Sequence, residues 1–159
     1  LKTFTGWFIN SVLAIPLADQ AAGPAYQPPF AVAGQKLAVN ICYEAAFGAD
    51  IRTQAGAATL LVNVTNDAWY GRSLAALQHN QIAAMRAKET GRTLLRATNT
   101  GITSAIGHDG RELARLPWFT GGILEIEAAL APACFHQGRQ VGVEIVGEAA
   151  QLGAKLGPQ

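Results

Sequence analysis

The sequence has few charged residues, and this shortage narrows what the protein can be. Only 14% of its 159 residues are charged, and 12 lysines and arginines oppose 11 acidic residues for a net charge of +1. No basic cluster is present, so we predict no nucleic-acid partner, because such binding depends on many Lys and Arg contacts to phosphate. Half of the residues are hydrophobic, which is typical of a chain that buries a core.

Cysteines and long apolar runs are also scarce. Cys42 and Cys134 lie far apart, and no cysteine or histidine pattern has metal-site spacing, so we predict no metal and no cofactor. A disulfide between the two cysteines has no support in the sequence. No apolar run approaches the roughly 18 residues that a membrane helix needs. The chain starts at Leu1 without the features of a signal peptide, and we expect it to be a piece of a longer protein.

The residues that are present alternate between predicted strands and helices. KLAVNIC (36–42) and TLLVNVTN (59–66) are rich in Val, Ile and Leu with little alternation, which indicates strands buried on both faces. The segment between them predicts a helix that ends near Gly56. TLLRATN and GGILEIEA predict further strands, and the pair Asp109 and Gly110 predicts a hairpin. This order predicts a layered α/β domain.

A second helix, LAALQHNQIAAMRAKETG, is predicted after the loop DAWYGRS, with Ser73 as its N-cap. At 100° per residue, the larger apolar residues of this helix share one face. Three polar residues also share a face, and polar residues on an apolar face require hydrogen-bond partners. The apolar residues are Leu74, Leu77, Ile82 and Met85, and the polar residues are Gln78, Gln81 and Glu89.

The two ends of the chain differ from its middle. Residues 1–30 predict a short amphipathic segment and then an irregular stretch, because a glycine and three prolines exclude regular structure there. After about Ala128 no clear period remains, and a helix or a disordered tail is predicted. We therefore expect residues 1–128 to belong to one domain and residues 129–159 to form a divergent tail.

Cys42 is the first candidate for chemistry. It lies where a buried strand meets the start of a helix, a position that exposes a thiol and favours its thiolate. The backbone N–H of Tyr43 is placed to donate to an oxyanion, and Glu44 is either a base or a residue that complements the helix N-terminus. Free cysteine is also among the most buried residue types. From position alone, a nucleophile and a packing residue are equally good interpretations of Cys42.

Polar and aromatic residues near two further strand ends, and a Gln-His pair in the second helix, are the other candidates. In open α/β sheets, ligands bind beyond the carboxyl ends of the strands, where neighbouring ends lie side by side. The same residue types are ordinary turn formers, a lone histidine is more often structural, and packing is favoured over a pocket wall for Trp69. Three converging strand ends nevertheless favour a site over coincidence. The candidates are Asn66, Asp67, Trp69, Tyr70, Gln78, His79 and Asn99.

Four segments, in order, closely resemble the apolipoprotein N-acyltransferases of the nitrilase (carbon-nitrogen hydrolase) superfamily. They are NICYEAAFG, LVNVTNDAWYG, QHNQIAAMRAKETGRTLLRATNTGITSAI and HDG, and the resemblance runs from about Leu1 to Ala128. Cysteine followed by tyrosine and glutamate is shared in part with other members of the superfamily. NDAW with an aromatic residue and glycine next, followed by Gln-His and LLRATNTG, is more particular to the acyltransferases.

The resemblance implies an αββα sandwich, incomplete in this chain, and a catalytic Glu, Lys and Cys. Cys42 matches the nucleophile, which takes an acyl chain from a membrane phospholipid as a thioester and passes it to the N-terminal cysteine amine of an apolipoprotein. Tyr43 and Glu44 match positions that the family needs at its active site. The implied location is the bacterial inner membrane, with the catalytic domain facing the periplasm and the membrane helices in segments outside this chain.

The resemblance places the catalytic glutamate and lysine upstream of Leu1. Lys2 is the only lysine before Lys36, and the family's context for the catalytic lysine is absent around it, so Lys2 is not assigned that role. A cysteine without its base and cation loses most of its activation, so the chain alone is expected to be inactive or nearly so. The tail departs from the family pattern, which suggests a frameshift or truncation near Ala128.

Two alternatives remain open at this stage. The first is a soluble nitrilase-type amidase or carbamoylase that uses the same cysteine with water as acceptor. The second is a non-catalytic, truncated remnant that folds poorly.

Overall fold

The computed structural model describes residues 23–24, 26–129 and 140–147. The described residues before the first strand contain neither helix nor strand, as their prolines predict. The amphipathic segment expected at the start of the chain and Cys134 lie outside the described ranges. The strands are β1 (Phe30–Val32), β2 (Gln35–Ile41), β3 (Leu60–Thr65), β4 (Leu94–Thr98), β5 (Ser104–Ile106), β6 (Glu112–Arg115), β7 (Gly122–Ala129) and β8 (Gln140–Gly147). The helices are α1 (Gly48–Ala55) and α2 (Leu74–Thr90), with short 3-10 turns at Cys42–Ala46 and Ala68–Tyr70.

Strands β1 to β6 form one sheet in sequence order. The β2–β3 and β3–β4 pairs are parallel, and the other pairs of this sheet are antiparallel. Each parallel connection runs through a helix, α1 after β2 and α2 after β3. β7 and β8 form a separate antiparallel pair. The predicted α/β class, the strand, helix, strand unit and the hairpin at Asp109 and Gly110 are confirmed.

Both faces of the central strands β3 and β4 are covered, as their apolar residues predict, whereas β2 is fully buried on one face only and its Ile41 is exposed. One face packs against α1 and α2, and the other packs against β7, which gives a layer of helices, a mixed sheet and a two-stranded sheet. The helix-side core contains Ala38, Ile51, Ala55, Ala58, Leu61, Ala83, Ala87, Leu94 and Ile106. The core on the other face contains Leu60, Leu95, Ala105 and Ala128.

The chain between β2 and β3 is not the single helix predicted for it. Cys42–Ala46 form a 3-10 turn, Phe47 adopts a φ of −91° and a ψ of 81°, and α1 begins only at Gly48. Arg86 of α2 packs against this break, because its Nη1 donates to the carbonyl oxygen of Ala46 at 3.3 Å. A Cβ at position 48 would lie 2.6 Å from the same nitrogen, so Gly48 leaves room for the guanidinium.

Helix α2 begins as predicted but buries a different face. Ser73 Oγ accepts a hydrogen bond from the N–H of Ala75 at 3.3 Å, which confirms the N-cap. The predicted apolar face is wrong, because Leu74 and Met85 are 71% and 54% exposed. The three polar residues expected to need partners are exposed as well. Three of the four residues in the buried stripe are alanines, whose small side chains allow the helix to approach the sheet closely. The stripe consists of Ala76, His79, Ala83 and Ala87.

Part of the tail is a strand. Gln140–Gly147 pairs with β7, from Gly122 opposite Gly147 to Ala129 opposite Gln140. The helix predicted as one alternative is therefore wrong for these residues. QVGVEIVG places β-branched residues at every second position, a pattern that favours a strand. The domain boundary near Ala128 stays a prediction.

Candidate active site

Cys42 follows β2 directly and has a backbone conformation that residues with side chains rarely adopt. Its φ angle is 53°, and the residue is half-buried. A left-handed conformation costs an L-residue roughly 1–2 kcal/mol, and such strain concentrates at functional sites that hold it in place. β2 is extended through Ile41, and the 3-10 turn starts at Cys42 itself. This change of direction places Cys42 at the carboxyl edge of the sheet.

Two side chains hold the carbonyl oxygen of Cys42. Asn63 Nδ2 donates to this oxygen at 3.2 Å, and His79 Nε2 lies 3.2 Å from it. Asn63 belongs to β3 and His79 to α2, so the sheet and the helix layer fix the same atom. A carbonyl oxygen has two lone pairs, and each contact can use one of them. The strained backbone of Cys42 is therefore supported from both layers.

A row of polar side chains crosses the sheet below this edge. In the pairing of β2 with β3, Asn40 lies opposite Asn63. In the same way Asn63 lies opposite Arg96 in β4, and Arg96 lies opposite Ser104 in β5. Asn63 Nδ2 donates to Asn40 Oδ1 at 2.6 Å, and Arg96 Nη1 donates to Asn63 Oδ1 at 2.5 Å. We call these four buried residues the polar row. Its hydrogen bonds tie β2, β3 and β4 together below Cys42.

Asp67 joins the polar row to His79. Its Oδ2 accepts from Arg96 Nη2 at 2.7 Å, and its Oδ1 lies 3.1 Å from His79 Nδ1. Thr65 Oγ1 also donates to Asp67 Oδ1, at 3.0 Å. The side chains of Asp67 and Arg96 are completely buried. A continuous path of contacts therefore runs from Arg96 through Asp67 and His79 to the carbonyl oxygen of Cys42.

The charged groups along this path shift one another's ionisation. Burial alone raises the pKa of Asp67, but the His79 hydrogen bond and the Arg96 charge together outweigh it, so the pKa lies below its usual 3.8. Desolvation lowers the pKa of Arg96, against the opposing effect of the Asp67 carboxylate. The pKa of Tyr70 is raised, first by burial and then by electrostatic interaction with neighbours that include Asp67. These groups therefore share one electrostatic environment.

Comparison with known proteins assigns the chain to a family. The carbon-nitrogen hydrolase family matches residues 7–133. The chain belongs to the carbon-nitrogen hydrolase family. It is 56% identical over 120 residues to an apolipoprotein N-acyltransferase from Nitrosomonas europaea, an alignment that covers 76% of this chain and 24% of the relative. An apolipoprotein N-acyltransferase from Ralstonia nicotianae is 50% identical over 125 residues, with 76% and 24% covered. The chain thus spans about a quarter of the length of these curated relatives.

A solved structure from the same superfamily has a similar fold. An amidase of the nitrilase superfamily from Nesterenkonia sp. AN1 has a TM-score of 0.51 and 24% identity to this chain, with 64% of this chain and 42% of the amidase covered. At this identity the similarity shows the fold alone. It agrees with the α/β architecture predicted from the sequence.

The strand ends of this carbon-nitrogen hydrolase converge as predicted. Asn99 Nδ2, after β4, donates to Asn66 Oδ1, after β3, at 2.5 Å. Asn99 Oδ1 accepts from the N–H of Asp67 at 3.1 Å, and Asn66 Oδ1 also accepts from the N–H of Ala68. The two asparagines therefore brace the loop that carries Asp67, while His79 links Asp67 to Cys42.

The remaining candidates differ in their exposure and in their contacts. The ring centroids of Tyr43 and Tyr70 are 6.3 Å and 6.2 Å from that of His79. Trp69 is 74% exposed, so the packing role favoured for it is wrong. Glu44 Oε2 accepts from the N–H of Ile41 at 2.6 Å, a hydrogen bond at the start of the 3-10 turn, and both roles predicted for Glu44 stay predictions. Gln78 is exposed on α2 and does not share the buried position of His79.

Sequence reasoning did not select the residues beneath the site. Asn40, Asn63 and Arg96 interrupt otherwise apolar strands at equivalent positions, and that interruption was the available signal. Gly101 lies against Asp67, where a Cβ on Gly101 would be 2.7 Å from the Cβ of Asp67.

Two further features are absent from the described ranges. No group of His, Cys, Asp and Glu within them is suited to hold a metal ion. No helix in that part of the chain is long and apolar enough to cross a membrane.

Proposed function

We propose that this chain carries the nucleophile of an apolipoprotein N-acyltransferase, with Cys42 as the residue that becomes acylated. The observation that carries this proposal is the strained conformation of Cys42 at the strand end, with its carbonyl oxygen held by Asn63 and His79. A nucleophile in an acyl transfer must be held in one geometry at an accessible edge. The identity to named acyltransferases supports this reaction over others in the family.

In the first half-reaction, the thiolate of Cys42 attacks the ester carbonyl carbon of a phospholipid. A carbon–sulfur bond forms, and the carbonyl oxygen becomes an oxyanion that accepts a hydrogen bond from the N–H of Tyr43. The intermediate collapses with cleavage of the carbon–oxygen bond to glycerol, whose oxygen takes a proton from the catalytic acid. The products are a lysophospholipid and an acyl thioester on Cys42.

In the second half-reaction, the α-amino group of the apolipoprotein's N-terminal cysteine attacks the thioester. The new carbon–nitrogen bond forms as the carbon–sulfur bond breaks, and the amine gives one proton to the catalytic base. Cys42 is released as a thiolate. No metal or redox partner is needed to balance either step.

Exposed apolar side chains near Cys42 favour a lipid donor over a small polar amide. Ile41 and Tyr43 flank the cysteine and are 61% and 56% exposed, and Phe47, whose ring is 6.0 Å from that of Tyr43, is 56% exposed. Trp69 and Leu74, before and at the start of α2, are 74% and 71% exposed. Exposed large apolar side chains of this kind are typical of surfaces that bind apolar partners. We assign this surface to the acyl chain, with Trp69 and Tyr70 as one wall and Asn66, Gln78 and Asn99 at the polar rim.

The intact enzyme is proposed to include more than this chain. We place the glutamate base and the lysine in a preceding segment, residues 1–128 in the catalytic domain, and the membrane helices outside 1–159. The catalytic domain then faces the periplasm at the bacterial inner membrane, where phospholipid and apolipoprotein meet.

The test begins with the DNA sequence upstream of the codon for Leu1, where membrane spans, a glutamate and a lysine are expected. The intact protein is then incubated with phospholipid in detergent, and the tryptic peptide 37–52, which contains Cys42, is examined by mass spectrometry for an acyl adduct. Cys42→Ala is the matched control. Addition of a peptide with a diacylglyceryl N-terminal cysteine should remove the adduct and acylate the peptide amine.

Two results would contradict the proposal. One is an adduct-free Cys42 in the presence of phospholipid together with release of ammonia from short amides, which would indicate an amidase. The other is acylation of the peptide amine by Cys42→Ala at the wild-type rate.

A further inference from the structure

The surroundings of His79 determine which of its ring nitrogens carry protons. The residue is 3% exposed, and its Nε2 lies 3.2 Å from the carbonyl oxygen of Cys42. A carbonyl oxygen only accepts hydrogen bonds. Nε2 therefore carries a proton, because an unprotonated nitrogen would direct its lone pair at that of the oxygen.

The other ring nitrogen of His79, Nδ1, also faces a group that only accepts hydrogen bonds, the carboxylate of Asp67. Its Oδ2 accepts from the Arg96 guanidinium at 2.7 Å, and its Oδ1 accepts from the hydroxyl of Thr65 at 3.0 Å, so the group is an ionised carboxylate. Its Oδ1 is 3.1 Å from His79 Nδ1. An ionised carboxylate also only accepts hydrogen bonds. Nδ1 therefore carries a proton as well.

We propose that His79 is a buried imidazolium that clamps the carbonyl oxygen of Cys42 and so places a positive charge next to the residue that carries the thiol. His79 and Arg96 supply two positive charges, and Asp67 supplies one negative charge. A thiolate on Cys42 supplies the second negative charge and balances the four groups. A nearby cation is a recognised means of favouring a cysteine thiolate.

His79 is thus a positioning residue, because it acts through Cys42 rather than on a substrate. The titratable groups that face its ring come from three other elements. Asp67 lies in the loop after β3, Cys42 and Tyr43 lie in the 3-10 turn after β2, and Tyr70 lies in the 3-10 turn before α2. Among the residues that the structure describes, only Asp67 contacts the ring with a carboxylate, and it also holds Arg96.

The catalytic meaning of this inference rests on the proposed function, since the charge matters to a reaction only if Cys42 is the nucleophile. The protonation of His79 is measurable without any acyl transfer. Deuterium exchange at the imidazole Cε1 follows the protonation of each histidine and is read by mass spectrometry. Trypsin places His79 as the sole histidine in peptide 73–86 and His108 as the sole histidine in peptide 97–111.

We expect the exchange profile of His79 in the intact wild-type protein to break at a higher pH than that of the exposed His108. A break at the same or a lower pH overturns the proposal. This measurement needs no variant, so it decides the question even where a substitution at position 79 prevents folding.

The second measurement is the alkylation of Cys42 by iodoacetamide at neutral pH. His79→Gln keeps an N–H donor for the Cys42 carbonyl but carries no charge, and we expect the rate on peptide 37–52 to fall about tenfold, with a profile shifted to higher pH. Peptide 116–139, with Cys134, reports general thiol reactivity. Gln81→Ala on the exposed side of α2 is the matched control and should leave both rates unchanged.

An alkylation rate and pH profile that His79→Gln leaves unchanged, in a variant with the wild-type circular dichroism spectrum, overturns the proposal. If both measurements agree with it and Cys42 still forms no thioester with phospholipid, the proposed function fails while the imidazolium stands.

Discussion

Arg96 Nη2 donates to Asp67 Oδ2 at 2.7 Å between two completely buried side chains. A buried ion pair adds little net stability over apolar residues of the same volume, because both charges lose their hydration. Loss of one partner is costly, since the other charge stays buried without compensation. Asp67 also contacts His79, so the same carboxylate supports both the sheet and the residue that holds Cys42.

Asp67→Asn is expected to lower the free energy of unfolding by about 3–5 kcal/mol, because it leaves the Arg96 guanidinium without its counter-charge. Chemical denaturation of the intact protein measures this loss. The control is Asp50→Asn, an exposed carboxylate in the first turn of α1, for which a loss under about 1 kcal/mol is expected. Equal effects of the two substitutions would argue against a buried pair.

Stability is expected to fall in acid through Asp67. The pKa of this carboxyl is lower in the folded chain than its usual 3.8, so the folded state binds fewer protons than the unfolded state. Its contribution is complete above pH 3.8 and is lost as the pH falls through the lowered folded value. Unfolding free energies measured at a series of acid pH values should show a steeper decline for wild type than for Asp67→Asn. Parallel declines would contradict this assignment.

Gly101→Ala is expected to destabilise the protein by about 1–3 kcal/mol, because the new methyl group would overlap Asp67 and displace it from Arg96. Gly56→Ala provides a comparison of opposite sign. Gly56 has a φ of −55°, and its nearest atom is Thr53 O at 3.7 Å, so alanine fits and should add about 0.4–1 kcal/mol. Thermal unfolding of both variants measures the difference, and a neutral Gly101→Ala would count against the close packing.

Glu44 is expected to act as a cap for the turn that contains Cys42. Glu44→Ala should cost about 1 kcal/mol through loss of the hydrogen bond to the Ile41 N–H, whereas Glu44→Gln retains an accepting oxygen and should cost less. Denaturation and thioester formation are measured on both variants. If Glu44→Gln is stable but forms no thioester, the carboxylate itself takes part in the reaction and the capping role is incomplete.

The strain at Cys42 predicts an unusual order of stabilities. Cys42→Gly should be more stable than Cys42→Ala by about 1 kcal/mol, because glycine adopts a φ of 53° without steric cost, and Cys42→Val should be the least stable. Ala45→Gly, in the same turn but without a positive φ, should instead be destabilising. Thermal midpoints of the four variants test this order, and a Cys42→Gly less stable than Cys42→Ala would refute it.

The sequence predicted most of the sheet because its strands are dense in branched apolar residues. The carboxyl ends of neighbouring parallel strands lie at the same edge of a sheet. The strand ends that precede Cys42, Asn66 and Asn99 were therefore predicted correctly to be adjacent, since this depends only on strand direction. The stripe of α2 was mispredicted because periodicity weights large side chains, whereas the helix packs through alanines and His79. Leu74 and Met85, which were predicted to be buried, are exposed because they lie outside this alanine-rich stripe.

Two features of the site depend on tertiary structure and have no local signal. The φ angle of Cys42 results from hydrogen bonds that arrive from β3 and α2, far along the chain. The pairing of Asn63 with Arg96 requires the register of β3 on β4, which composition does not specify. Polar residues in buried strands could have been flagged, but their partners could not have been named.

The polar row also favours a single register of the parallel strands. Asn40, Asn63 and Arg96 sit opposite one another in β2, β3 and β4. A slip of one residue would turn Asn63 or Arg96 toward the apolar layer around Leu60 and Leu95, where neither would find a partner. Misaligned pairings are thereby penalised during folding. Asn63, which holds the carbonyl oxygen of Cys42, thus also helps to exclude a misaligned sheet.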